Sequence, residues 1–162
     1  MDVQKFSFEF EVYNSIDELT EADALLLSAA KKAAKTAYAP YSEFLVGAAA
    51  ILSNGEIITG TNQENASYPV GLCAERVLLS AASSFYPNET VVSIAISYRT
   101  KDRTSVRPIT PCGICRQTLM EYQTRYQNPI RLILGGMEGK VHIIPRADML
   151  LPFGFTGDDL KC

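Results

Sequence analysis

The chain has 162 residues, of which 47% are hydrophobic and 20% charged, and its formal net charge is -3. This is the composition of an ordinary globular protein and excludes a disordered or fibrous one; a chain of this length buries roughly two-thirds of the surface it exposes when unfolded. The acidic balance also argues against nucleic acid as partner, because affinity for a polyanion comes largely from a basic face that neutralises phosphates.

Phe6, Phe8, Phe10 and Val12 alternate with polar residues, the pattern of a half-buried strand. Residues 1–13 hold no unbroken apolar stretch of the kind found in a secretory leader. A helix follows. Thr20 is placed to cap it, with Asp23 three residues on as a weak form of capping box. Leu26, Leu27, Ala30, Ala33, Ala34 and Ala37 recur near helical spacing, and Lys31, Lys32 and Lys35 suit the negative end of its dipole. Ala39-Pro40 stops it. Residues 44–53 form a strand, Asn54-Gly55 supplies a strong turn signal, and residues 56–61 return as its partner. The longest apolar run, residues 45–52, is far below the about 20 residues that cross a bilayer, so no membrane partner is expected.

Residues 72–85 read as a second helix, with Val77, Leu78, Ala81, Ala82 and Phe85 spaced for one buried face. Residues 91–98 are a strand rich in β-branched side chains. Residues 100–111 are polar, contain two prolines and form a loop. The local cluster Arg99, Lys101, Arg103 and Arg107, interrupted by Asp102, is a solvated stretch and not a nucleic-acid patch. Residues 112–126 form a third helix, residues 130–134 and 140–144 are short strands joined through Gly135-Gly136, and a short helix covers 146–151. Helices and strands alternate, so the fold class is α/β: three layers, with helices on both faces of one mixed sheet. No repeat or linker divides the chain, and residues 1–162 are expected to form a single domain.

Four cysteines are present, Cys73, Cys112, Cys115 and Cys162. With no leader in sight the expected compartment is the cytoplasm, where thiols stay reduced and more often bind metal or react than pair. Cys112 and Cys115, three residues apart at a helix start, fall on one face. Alone, C-x-x-C reads as half a structural zinc site, a redox pair or chance. Cys73 opens the preceding helix, so three thiols lie at or near helix N-termini, where the dipole favours thiolate. Three thiolates leave a tetrahedral zinc shell one ligand short, as in catalytic sites that keep a position open for water; structural sites are closed by four. The remaining donors are Cys162, the last residue, and His142, which reads as a half-exposed strand residue. The expectation is therefore one catalytic zinc per chain on Cys73, Cys112 and Cys115.

Glu75 stands two residues after Cys73. It reads either as an acid that complements the helix dipole or as the proton carrier that a hydrolytic zinc site requires. The combined pattern, Cys73-x-Glu75 and Pro111-Cys112-x-x-Cys115, matches the signature of the zinc-dependent base deaminases, in its all-cysteine form. Arg76 is either a surface helix residue or a guanidinium that hydrogen-bonds to a thiolate and offsets the negative charge.

At these residues the chain resembles the cytidine deaminase family, in its homotetrameric three-cysteine branch. Three further stretches are similar to family segments: residues 39–48 (Ala-Pro-Tyr-Ser-Glu-Phe-Leu-Val-Gly-Ala), residues 62–69 (Asn-Gln-Glu-Asn-Ala-Ser-Tyr-Pro) and residues 150–155 (Leu-Leu-Pro-Phe-Gly-Phe). The resemblance covers about residues 25–160. It implies hydrolytic deamination of cytidine and deoxycytidine to uridine and deoxyuridine, with release of ammonia, as in pyrimidine salvage. Activated water would attack C4 of the base while Glu75 shuttles protons. Asn62 and Glu64 would bind the ribose 3′ hydroxyl, although the bare sequence reads them as turn residues. Phe44 would stack on the pyrimidine, although alone it reads as a core aromatic. Ala66 and Ala74 would line the base pocket through their backbones, and Phe155 would reach the active site of a neighbouring subunit. Residues 1–19 are an extension that compact members lack, and Gln63 stands where an aliphatic residue is common.

Three rival readings differ in sequence. Deaminases of other cytosine-bearing molecules, such as blasticidin S, share the cysteine motifs, but Asn62-x-Glu64 favours an ordinary nucleoside. An RNA or DNA editor needs a basic, aromatic groove that is absent here. A structural zinc module that binds another protein needs a fourth ligand and has no use for Glu75.

Overall fold

The computed structural model describes residues 1–102 and 104–161. Its strands are β1 (Glu11–Tyr13), β2 (Phe44–Leu52), β3 (Ile57–Thr61), β4 (Val91–Thr100), β5 (Arg131–Gly135) and β6 (Val141–Ile144). Its longer helices are α1 (Glu21–Ala33), α2 (Ala74–Phe85) and α3 (Gly113–Tyr126). The strands form one sheet in the order β1-β6-β5-β4-β2-β3. β4 and β5 run parallel, as a crossover through α3 permits, while the other neighbours run antiparallel.

The strand period of two sorts the core into two layers. Ala49, Ala95, Ile133 and Ile143 sit side by side across the sheet and pack against Leu26, Leu27 and Ala30 of α1. The adjacent row, Ala50, Ile94, Leu132 and Ile144, packs against Leu78 and Leu79 of α2 and Leu119 of α3. The expected mixed sheet between two helical layers is therefore present. Small residues let the layers close up. A Cβ on Gly47 would overlap the Ala30 carbonyl oxygen and the Ala34 amide nitrogen of the α1 side. A Cβ on Gly60 would lie 2.5 Å from the Leu78 nitrogen and 2.6 Å from the Ala74 oxygen. The first turn of α2 is thus pressed directly onto β3, which positions Cys73 and Glu75.

Several expected elements are shifted. Only Glu11–Tyr13 of the N-terminal strand is formed, paired with β6, and Phe6, Phe8 and Phe10 are exposed instead of half-buried. Pairing with β6 runs only from Tyr13 opposite Val141 to Glu11 opposite Ile143, and β6 itself ends one residue further, at Ile144. α1 ends at Ala33 and tightens into a 3-10 turn, Ala34–Thr36, before Ala39-Pro40 is reached, because Tyr38 instead bridges to Gln63. Gly135 closes β5 and residues 136–140 make the connection, with Gly139 at φ 77°. The short helix near residue 147 is a 3-10 turn, Ala147–Leu150. His142 is half-exposed in β6, as expected. Arg99 ends up on β4, Lys101 pairs with Glu43 at 3.0 Å, and both Arg103 and Cys162 lie outside the described residues. No helix among the described residues is long and apolar enough to cross a membrane.

Thr20 caps α1 as expected, its hydroxyl accepting from the Asp23 amide at 3.2 Å. The Asp23 carboxylate takes a two-pronged bond from Arg131 at 2.5 and 2.9 Å and so ties α1 to the start of β5. That bond holds the Asp23 carboxyl below its ordinary value, against the opposing effect of burial. A depressed carboxyl contributes stability above about pH 4 that is lost as pH falls through the folded value. Arg131→Met leaves Asp23 mostly buried without its partner and is expected to cost about 1–3 kcal/mol at pH 7 by urea unfolding. The gap from the parent should narrow as pH falls below about 4; a constant gap down to the acid transition contradicts this role.

Candidate active site

α2 begins two residues and α3 one residue later than expected, so Cys73 and Cys112 occupy their N-cap positions. Neither side chain caps its own helix, so both thiols remain available while facing the positive end of a dipole. Cys115 lies in the first turn of α3 and is buried; Cys73 is half-buried and Cys112 exposed. The Cys73 and Cys112 sulfurs are 3.7 Å apart and those of Cys112 and Cys115 are 3.5 Å apart, and all three lie within 4.8 Å of one another. A tetrahedral zinc at about 2.3 Å from each sulfur sets neighbouring sulfurs about 3.8 Å apart. The trio fits such an ion.

The thiols also behave as one charged unit. Hydrogen bonding from Cys115, then from Cys112, with help from the Arg76 charge, draws the Cys73 thiol down to about 6. The same contact with Cys73, together with burial, pushes Cys115 up. One thiolate forms readily, and the next is opposed by the first. A cation at the centre removes that opposition.

Glu75 lies one residue into α2 and is 5% exposed. Burial is the main reason its carboxyl is raised, with the Cys73 charge adding to it and a hydrogen bond with Cys115 opposing it. A carboxyl raised by burial in this way is suited to pick up and return a proton.

The cluster opens into a cavity of about 620 Å³. Cys73, Ala74, Glu75 and Cys112 share its lining with Asn62 and Glu64, while Phe44, Val46, Leu72 and Ile109 give it apolar walls. Phe44 is held from behind by Tyr98, the rings stacked with centroids 4.9 Å apart. The Asn62 amide is anchored to β2, its Oδ1 accepting from the Val46 amide at 2.7 Å and its Nδ2 donating to the Phe44 carbonyl at 2.9 Å. One N–H and one lone pair of that amide stay open. Glu64 accepts from the amides of Tyr41 at 2.8 Å and Ser42 at 3.2 Å, and from the Ser42 hydroxyl. These donors keep its carboxyl below the ordinary value, although partial burial, the largest single influence, acts the other way.

Not every expected residue joins this cavity. Ala66 is exposed and outside its lining. Phe155 is exposed near the C-terminal end, where its carbonyl accepts from Gln117 Nε2 at 2.7 Å. Arg76 makes no side-chain hydrogen bond among the described residues; its charge, and not a bond, reaches Cys73. A residue the sequence reading missed is Arg116. Its guanidinium donates to the Pro111 carbonyl at 2.9 Å, the Leu150 carbonyl at 3.0 Å and the Thr110 hydroxyl at 3.1 Å, clamping the loop that carries Cys112. A cation in the first turn of a helix opposes the dipole, and that misfit was the signal available.

Known proteins share this arrangement. A family model for the cytidine and deoxycytidylate deaminase zinc-binding region matches residues 20–127. A cytidine deaminase of Halalkalibacterium halodurans is 40% identical over 137 residues, which cover 85% of this chain and 96% of the relative. A crystal structure of cytidine deaminase from Burkholderia pseudomallei is similar with a TM-score of 0.71 and 37% identity, covering 85% of this chain and 100% of that one. A blasticidin-S deaminase of Bacillus cereus is 30% identical over 68% of this chain and 76% of its own length. The family match takes in about two-thirds of the chain, including every thiol of the cluster and Glu75, and the chain belongs to the cytidine and deoxycytidylate deaminase zinc-binding family.

Proposed function

We propose that this protein deaminates cytidine and deoxycytidine hydrolytically, giving uridine or deoxyuridine and ammonia, with one zinc on Cys73, Cys112 and Cys115. The observation that carries the reading is the buried Glu75 carboxyl beside three converging thiols, with Glu75, Cys73 and Cys112 lining one substrate-sized cavity. When bound, zinc keeps a fourth position open and acidifies a water there toward a pKa of about 7. Glu75 accepts a proton from the attacking water and delivers it to the ring nitrogen as C4 becomes tetrahedral. It then carries the second proton to the departing amine, so that water and substrate yield the keto base and ammonia. Burial of Glu75 suits both halves of this cycle.

The rest of the cavity suits a nucleoside. Phe44, backed by Tyr98, offers a flat face to the pyrimidine. Ala74 adds a small wall beside the metal site. Asn62 and Glu64 are fixed from behind, so their remaining hydrogen-bonding capacity meets the ribose 3′ hydroxyl without further ordering. The charged side chains lining the cavity are Glu64 and Glu75, with no lysine or arginine beside them. A phosphate is repelled there. The substrate is therefore the free nucleoside, in preference to deoxycytidylate or a polynucleotide. We further read residues 1–162 as one cytoplasmic domain acting in pyrimidine salvage. It assembles as a homotetramer in which Phe155 reaches a neighbour's site and Arg76 moderates the thiolate charge.

Three outcomes test this reading. Glu75→Gln should retain zinc and fold while kcat for cytidine falls about 10²–10⁴-fold, followed by the loss of cytidine absorbance; near-parental turnover removes the assigned proton carrier. Cys112→Ala should purify with little zinc, and full zinc content there would mean that the ligand set is wrong. Deoxycytidylate should be turned over with kcat/KM at least about 100-fold below deoxycytidine, a difference of roughly 3 kcal/mol; equal values would contradict the exclusion of phosphate.

A further inference from the structure

The N-terminal segment outside the core carries a pattern that the deaminase site does not use. Phe6, Phe8 and Phe10 are 55%, 36% and 47% exposed, and Val12 is 50% exposed. Their rings form a ladder, with centroids 6.5 Å apart from Phe6 to Phe8, 6.4 Å from Phe8 to Phe10 and 5.2 Å from Phe10 to His142 of β6. Among the described residues, 1–9 make no backbone hydrogen bond. β1, their continuation, is the edge of the sheet, so its outer side is unpaired as well. β1 itself is a short edge, but the residues that lead into it carry a row of exposed aromatic side chains, the kind of apolar surface that is normally covered.

The order of side chains identifies what covers it. In an antiparallel pair, opposed residues project from the same face. A strand that pairs with its own copy must therefore keep even positions opposite even ones, or phenylalanine meets charge. A two-fold axis through Phe8 sets Phe8 against Phe8, Phe6 against Phe10, Lys5 against Glu11 and Val3 against Tyr13, each of the last three occurring twice. Moving the axis to Phe6 sets Lys5 against Ser7, and moving it to Glu9 opposes Glu9 to itself. An axis at Ser7 pairs Lys5 with Glu9 but leaves Phe10 against Gln4 and Val3 against Glu11. The axis through Phe8 also sets Ser7 against Glu9 and Gln4 against Val12, but of these registers it alone pairs all three phenylalanines among themselves while opposing Lys5 to Glu11, and self-complementarity of this kind is what an isologous interface requires.

We propose that residues 3–13 of two copies pair as antiparallel strands about a two-fold axis through Phe8, joining their two sheets edge to edge through β1. This interface is separate from the catalytic cavity and does not rest on its substrate.

Cysteine cross-linking of the full-length, zinc-loaded protein tests it. The axis brings the two Cβ atoms of residue 8 to about 5 Å, within disulfide reach, whereas those of residue 5 are about 20 Å apart. Under mild oxidation, Phe8→Cys should give at least tenfold more covalent dimer than Lys5→Cys or the parent chain. Equal yields overturn the proposal, and so does a dimer from Ser7→Cys that exceeds that from Phe8→Cys. In the Phe8→Cys background, Lys5→Glu should suppress the cross-link several-fold by opposing it to Glu11. Adding Glu11→Lys should restore it, and failure to restore it removes the charge pairing. Cytidine turnover by each variant verifies that it is folded.

Discussion

Three thiolates cannot share one small volume without a cation among them, and the rest of the molecule is arranged around that constraint. The chain lowers the cost by starting two helices at the same place. Cys73 and Cys112 each cap one, so two helix dipoles point at the cluster, and Arg76 adds a formal charge from the first turn of α2. The absence of a Cβ on Gly60 lets α2 press against β3. Arg116 ties the loop before α3 to Leu150, fixing the other side. The two helices rest on one face of the sheet, so sulfur spacing follows from sheet packing and not from the loops alone.

The same economy holds on the substrate side. Asn62 and Glu64 carry exposed functional atoms, yet each is braced by backbone groups of the residues around Phe44. Glu43 takes a left-handed conformation, φ 54°, at the turn between Ser42 and Phe44, and its side chain pairs with Lys101 at 3.0 Å. The polar groups are therefore ordered before any ligand arrives. Glu64 and Glu75 are the charged side chains that line the cavity.

Much of this was legible in the order of residues. The apolar run at residues 45–52, the Asn54-Gly55 turn and the cap at Thr20 mark local events that neighbours in sequence decide. The thiol motifs were readable because two of the three ligands lie within one helical turn. What escaped depends on long-range partners. Asp23 looked like half of a capping box, but Arg131, 108 residues away, takes its carboxylate. The alternating phenylalanines have the pattern of a half-buried strand, but pairing with β6 stops at Glu11 and they lie outside the sheet. Asn62 read as a turn residue because nothing local reveals that its amide bridges β2. Arg116 escaped notice because one of its acceptors, the Leu150 carbonyl, lies 34 residues away.

The central claim is that the three-thiol cluster holds a zinc on which nucleoside deamination depends. The most direct test is to strip the purified protein with a chelator, return zinc in measured amounts, and follow cytidine conversion by its absorbance. Turnover should vanish on stripping and return in proportion to zinc, saturating at one ion per chain. Turnover that persists without metal, or none at full zinc occupancy, would contradict the account.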